Sequence, residues 1–336
     1  MFKSHSSMLY LGIALAWSSL AVMAADNAPE SGKRVAAKRI LDQFVTYLQG
    51  RNPEGGAVQM RGRLDVLSLL RKRYWTLSDK VRHKAVGYVY LLGADLRRPP
   101  EHRWLVSKPA IGFFVEIFAK DSNEDCCQSA ARILVEMVPD SHVRTHAREI
   151  VKAAGNRRAS GWIALLLGKI GSQAARDILL KMAKAHEGRP GGHKSAQSID
   201  LALAKLGDTK RSRKYIEAFQ KADEIYRKAS LAKKLGYIAD AGSMKALGKE
   251  FRNPLRIEEV GSDYFHKFSL RFAIAEALSL ARPENELFWF PYENPPVDDT
   301  RYVKIEKWLE AELGMKWTRP RPKFTDEGVT PRQLPQ

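Results

Sequence analysis

The chain reads as an all-α protein built from stacked helix pairs, an α-solenoid. Three observations predict this. An apolar spacing of helical period recurs along most of the sequence. Its clearest copies end on a glycine followed by a capping residue. The copies lie 32 to 45 residues apart, the interval of supersecondary units that bury their faces only by stacking.

The pattern is sharpest between Ala159 and Asp208. Gly171 and Gly207 each close a stretch with apolar residues one, four and eight positions earlier: Ile170, Leu167 and Ile163 in the first, Leu206, Leu203 and Ile199 in the second. Those offsets share one helix face. Gly suits the residue after a helix because a left-handed backbone costs it nothing, and Ser172 and Asp208 are suited to cap the next helix. Gly93, Val138, Ala239 and Ala281 hold the same anchor position. Before them come Leu92, Val89 and Ala85; Met137, Leu134 and Ala130; Ile238, Leu235 and Leu231; Leu280, Ala277 and Ala273. This phase puts Leu167 and Leu203 at the centre of the inner face and turns Lys169 and Lys205 outward.

The stretch Asp79-Lys80-Val81-Arg82 with Ala85 and Leu91-Leu92-Gly93 resembles the second helix of a HEAT-like repeat of the phycobilisome-lyase type. Leu166-Leu167-Gly168-Lys169-Ile170-Gly171-Ser172 resembles its inter-repeat junction. The resemblance implies a right-handed α-solenoid of about six HEAT-like helix pairs over residues 64–281. It implies no activity, because this repeat serves enzymes, scaffolds and binding proteins alike.

Taken from the start, Met1–Ala24 has the form of a secretory signal peptide. Lys3 supplies the positive end, Met8 to Trp17 the apolar run, and Val22-Met23-Ala24 the small residues of a cleavage site. The run is short of the about 20 residues a membrane span needs. The mature chain is expected to begin near Ala25 and to be periplasmic or secreted. Residues 25–63 hold one helix, Ser31 to Gln49, with Ile40, Phe44, Tyr47 and Leu48 inward, and a linker broken by Pro53 and Gly55-Gly56. Within the repeats, Arg97 to Pro100, Glu187 to Gly192 and Asn253 to Asp263 read as loops, and Pro254 stops any helix there. Residues 282–313 hold an aromatic cluster, Phe288, Trp289, Phe290 and Tyr292, then Pro295-Pro296. A capping helix, Asp299 to Leu313, follows with Val303, Trp308 and Leu309 available for burial. Residues 314–336 read as a loose tail.

Charge is uneven. The chain carries a net +18, and residues 31–110 alone hold 17 Lys and Arg against 6 Asp and Glu. Arg61, Arg63, Arg71, Lys72, Arg73, Arg82, Lys84, Arg97 and Arg98 lie in or beside the first helix pair. They are expected to form one positive surface that engages an acidic protein partner or an anionic envelope polymer.

Motifs of catalysis are missing: no Gly-x-Ser-x-Gly, no His-Glu-x-x-His, no phosphate loop and no paired metal cysteines. The chain is therefore read as non-catalytic, with no cofactor and no metal. His142, His146 and Glu149 would share a helix face but read as surface residues. Cys126 and Cys127 are too close along the chain to bridge; the repeat pattern places Cys126 inside and Cys127 nearer the surface. The competing reading is a nucleic-acid enzyme. Some alkylpurine DNA glycosylases are basic HEAT-like solenoids, and this chain is similar in charge, with a pI near 9.8. No catalytic residue carries over, and export would remove the chain from DNA, so nucleic acid is not the expected partner.

Overall fold

A computed structural model describes residues 30–50, 64–93, 107–186, 193–260, 264–282, 299–320 and 328–331. The stretch read as a signal peptide, the residues read as a linker with Arg61 and Arg63 and as a loop with Arg97 and Arg98, and the aromatic residues at 288–292 lie outside these residues. What is described is predominantly helical. It divides into two compact units, the first running to Ile133 and the second from Leu134 onward.

The N-terminal unit holds α1 (Glu30–Leu48), α2 (Leu64–Tyr74), α3 (Asp79–Gly93), α4 (Lys108–Lys120) and α5 (Glu124–Glu136), whose last turn belongs to the second unit. Helix α1 packs on α2 and α3, and α2 packs on α4. Ile40, Phe44 and Leu48 face inward from α1, while Tyr47 is half-buried with its hydroxyl 2.6 Å from that of Tyr88. Helix α4 starts cleanly: Ser107 accepts from the Ala110 amide, and Pro109 occupies the first turn, where its missing N–H costs nothing. Its Ile111, Phe113, Phe114, Ile117 and Phe118 are all buried. Asn123 opens α5 by accepting from the amides of Asp125 and Cys126.

The C-terminal unit continues with α6 (Asp140–Arg144), α7 (Ala147–Gly155), α8 (Gly161–Ile170), α9 (Gln173–His186), α10 (His193–Lys205), α11 (Thr209–Lys221), α12 (Ile225–Ile238) and α13 (Ala241–Glu250). Strands β1 (Arg256–Val260) and β2 (Tyr264–Ser269) follow, then α14 (Leu270–Ala281), α15 (Asp299–Leu313) and β3 (Gly328–Pro331). One layer runs α6, α8, α10, α12, α14, each packed on the next. Helices α7 and α9 pair with each other and with α8. Helices α11 and α13 pair likewise beside α12, and α15 packs on α13.

The apolar pattern marks the core. Ile163, Leu167, Ile199, Leu203, Leu231, Leu235, Ala273 and Ala277 are buried. Gly171 and Gly207 are left-handed (φ 76° and 92°), and Ala239 takes the same conformation at φ 58°. Asp208 and Asp240 accept amide hydrogen bonds at the starts of α11 and α13, and Ser172 accepts from Ala175 at the start of α9. Gly236 lets α12 approach α14 closely: a Cβ there would overlap the Ala277 carbonyl.

Several sequence expectations change. Lys169 is buried, 6% exposed, and Lys205 is mostly covered. The apolar run Gly161–Ile170 covers the whole circumference of α8, and a helix flanked on both sides within its layer buries its flanks as well as its inner stripe. Cys127 is fully buried, its thiol donating to the Asp121 carbonyl at 3.1 Å. Residues 253–263 do break the helix, but 256–260 form a strand paired with β2, Arg256 opposite Ser269 through Val260 opposite Phe265. The β-branched Ile257 and Val260, and the aromatic pair Tyr264-Phe265, are residue types that suit an extended chain better than a coil. Part of the tail is ordered too: β3 pairs with β2, Lys267 opposite Gly328, and Met315 is buried.

Helix α15 has the predicted bounds and buries Leu309. Its inner stripe, however, runs through Tyr302, Ile305 and Glu306, leaving Val303 and Trp308 partly exposed. Glu306 is buried because Arg252 meets it at 2.7 Å. Among the described residues no helix is long and apolar enough to cross a membrane.

Candidate functional site

Arg71, Lys72 and Arg73 lie in the last turn of α2, where positive charge suits the carbonyl end of a helix. Positions 68, 71, 72 and 75 follow the helical period, so they lie near one another on the surface rather than at scattered points. Beside them is a groove of about 460 Å³ between α2 and the start and middle of α4. Leu67, Ser68, Arg71, Lys72 and Trp75 line one side, Pro109 and Glu116 the other.

The charges of this groove are only partly matched. Arg71 Nε meets Glu116 Oε2 at 2.7 Å, and Lys120 Nζ meets the other oxygen at 3.2 Å. Burial opposes ionisation of Glu116, but hydrogen bonds from Arg71 and Lys120 outweigh it and hold the carboxyl below its usual range. Lys72 is exposed and makes no ion pair among the described residues. Trp75, just past the helix end, is 36% exposed. Its indole meets the buried Tyr74 ring edge-on, centroids 5.0 Å apart. The Tyr74 hydroxyl in turn donates to Asp121 Oδ2 at 2.8 Å.

The other predicted basic residues divide by use. Arg73 pairs with Asp42 on α1. Arg82 is largely covered: it meets Asp121 at 3.2 Å and Asp79 at 2.8 Å, with its guanidinium 5.8 Å from the Tyr74 ring centre. Lys84 donates to the Leu48 carbonyl at the end of α1. These three hold the unit together. Arg61, Arg63, Arg97 and Arg98 lie outside the described residues. Of the nine, the structure therefore brings Arg71 and Lys72 into one groove. Trp75, Pro109 and Glu116 were not singled out in the sequence. The signal for Trp75 was its place after the basic triplet; the others join only through the packing of α4 on α2.

The cysteines offer no chemistry here. Both are free and buried, and burial pushes the Cys126 thiol up to about 11, so it stays protonated at neutral pH. The histidine face does not form. His142 lies in α6 and His146 stands before α7, because the chain turns at Thr145 instead of starting one helix at Ser141.

A second cavity, about 470 Å³, opens in the C-terminal unit beside His186, Asp200, Arg211, Lys214 and Tyr215. Arg211 pairs with Asp200 at 2.9 Å and with Asp208, and Lys214 meets Asp200 at 3.5 Å. Its charges are matched internally, which leaves less to attract a charged ligand than the groove of α2 does.

The sequence matches no protein-family model and no curated protein.

Proposed function

We propose that the chain is an exported, non-catalytic HEAT-like repeat protein, an α-solenoid that binds a protein partner or an anionic envelope component through its surface. The observation that carries this reading is the groove of α2 and α4. An exposed indole and an unmatched lysine stand side by side in the most basic third of the chain. Large apolar side chains framed by charge are the usual anchors of protein interfaces. The layered packing of α6 to α14, and the left-handed stops at Gly171, Gly207 and Ala239, support the repeat reading. Export rests on the form of Met1–Ala24.

Affinity purification from the envelope fraction, with mass spectrometry of bait and captured proteins, tests it. The expected result is bait starting near Ala25 together with one stoichiometric partner. Bait that keeps Met1 and is recovered from the cytoplasm would end the export reading. Recovery without any partner would end the binding reading.

A further inference from the structure

We infer that the groove between α2 and α4 docks an acidic peptide segment of the partner, an apolar side chain against Trp75 and a carboxylate on Lys72. This rests on the partner-binding reading above and narrows it to one site and one chemistry.

Three features of the groove point to such an occupant. The first is the indole. Trp75 is exposed, yet the ring beneath it is not free to move: Tyr74 is fully buried, stacked edge-on against Trp75 on one side and against Phe113 on the other, and hydrogen-bonded to Asp121. An aromatic surface backed by a rigid ring loses little conformational entropy when a side chain packs on it, which is the condition for a strong anchor. Exposed Pro109 extends the apolar lining, above the buried Leu67.

The second is the charge. Arg71 and Lys72 line the groove with one carboxylate, Glu116, which Arg71 and the neighbouring Lys120 both contact. Arg71 and Lys120 are spent on that carboxylate, and Lys72 is not. Covering Lys72 with a neutral surface would strip water from an unpaired ammonium, which is costly, so a partner that covers it must bring an anion.

The third is Glu116 itself. Its carboxylate lies within the groove. A phosphate backbone or other dense polyanion would run its charges past that carboxylate and gain nothing from Pro109. A peptide that alternates acidic and apolar side chains places each where it is matched.

The test starts from the full mature chain and a displayed library of random nonapeptides. The expected selection enriches sequences in which Asp or Glu lies within a few residues of Leu, Phe or Trp. Binding of the best synthetic peptide is then measured at physiological salt beside that of a twelve-nucleotide oligo-dT. The peptide is expected to bind at least about tenfold tighter than the oligonucleotide. Lys72→Glu and Trp75→Ala should each weaken the peptide about tenfold, as loss of an interface anchor does. Lys233→Glu, on exposed α12 surface, should change it less than about twofold. Should Trp75→Ala unfold, Lys72→Glu and Lys72→Met carry the test alone. Failure to enrich any peptide, enrichment of neutral or basic ones, equal binding by oligo-dT, or indifference to Lys72→Glu would each overturn the inference. An envelope partner captured equally by wild type and Lys72→Glu would leave the partner-binding reading standing and end this one. Selected peptides that bind in the groove, with no envelope partner captured, would do the reverse.

Discussion

Lys72 lies in the last turn of α2 and Lys169 in the last turn of α8, each where a cation complements the carbonyl end of its helix. From there they diverge. Lys72 stays in water beside Trp75. Lys169 turns into the C-terminal unit, where its ammonium donates to the carbonyls of Leu134 (3.3 Å), Val135 (2.9 Å) and Val138, and meets Asp140 Oδ1 at 3.3 Å. Asp140 is shared: Lys205 holds its other oxygen at 2.8 Å and donates to the Tyr237 carbonyl at 2.8 Å. One ammonium thus closes the end of α5 and the other the end of α12, with a single carboxylate between them. A lysine's role thus follows from whether unpaired carbonyls of a neighbouring helix lie within its reach, which local sequence does not state.

Charge reversal separates the two lysines most sharply. Lys169→Asp should cost about 4 kcal/mol or more, since it sets an anion against Asp140 and leaves three buried carbonyls without a donor. Leu167→Asp, on the inner face, should cost about as much. Lys72→Glu should stay within about 0.5 kcal/mol. Urea denaturation of the three variants decides it; a mild Lys169→Asp would mean the buried network is not formed.

Helix approach within the layer comes next. Gly236→Ala forces a methyl onto the Ala277 carbonyl and should destabilise by about 1–3 kcal/mol. The same change at Gly87 on α3, which has open space, should be neutral or slightly stabilising. Equal melting temperatures for the two variants would remove close packing of α12 on α14 as a source of stability.

Titration gives a smaller signal. Burial pulls Lys169 down to about 8, against the opposing pull of Asp140 and with Lys205 adding to the lowering. Its unfolded value is near 10.5, so between pH 8 and 10.5 the unfolded chain binds more protons. The sign follows: Lys169 makes stability rise with pH across that window, because the cost of keeping the ammonium buried is present below pH 8 and relieved above it. Tyr237 opposes this near pH 10, since burial raises its pKa well above the ordinary value. The useful range is therefore pH 8 to 9.5. There the stability gap between wild type and Lys169→Met should widen with pH, read from urea midpoints at matched ionic strength. A gap that stays constant would show that Lys169 titrates as it does in the unfolded chain.

The smallest effect is at a helix stop. Ala239 bears the left-handed conformation that glycine takes at Gly171 and Gly207. Ala239→Gly should stabilise by about 1 kcal/mol by removing the Cβ strain, and Gly171→Ala should lose a similar amount. Thermal melts check both, and a destabilising Ala239→Gly would show that the methyl contributes more than its strain costs.

Much of this molecule was present in the order of its residues. The apolar offsets before Gly171, Gly207 and Ala239 located the inner faces of α8, α10 and α12, because a helix that buries one side must repeat that side every turn. The stops and caps around Gly171, Ser172 and Asp208, the bounds of α15 and the basic character of α2 were local properties too, set within a few residues of themselves. Which charges stay free was set by the packing of distant segments. Arg71, Arg73 and Arg82 find Glu116, Asp42 and Asp121, partners that lie 31 to 45 residues away in sequence. The groove exists only because α4 brings Pro109 and Glu116 against α2. The short β-sheet was not legible: residues 253–263 read as a loop from their polar, helix-breaking character, and β3 pairs with β2 across about 60 residues. Periodicity is a property of one helix and survives in one dimension. Pairing of a charge, a carbonyl or a strand edge depends on which distant segment arrives beside it, and that is settled by the packing of the whole chain.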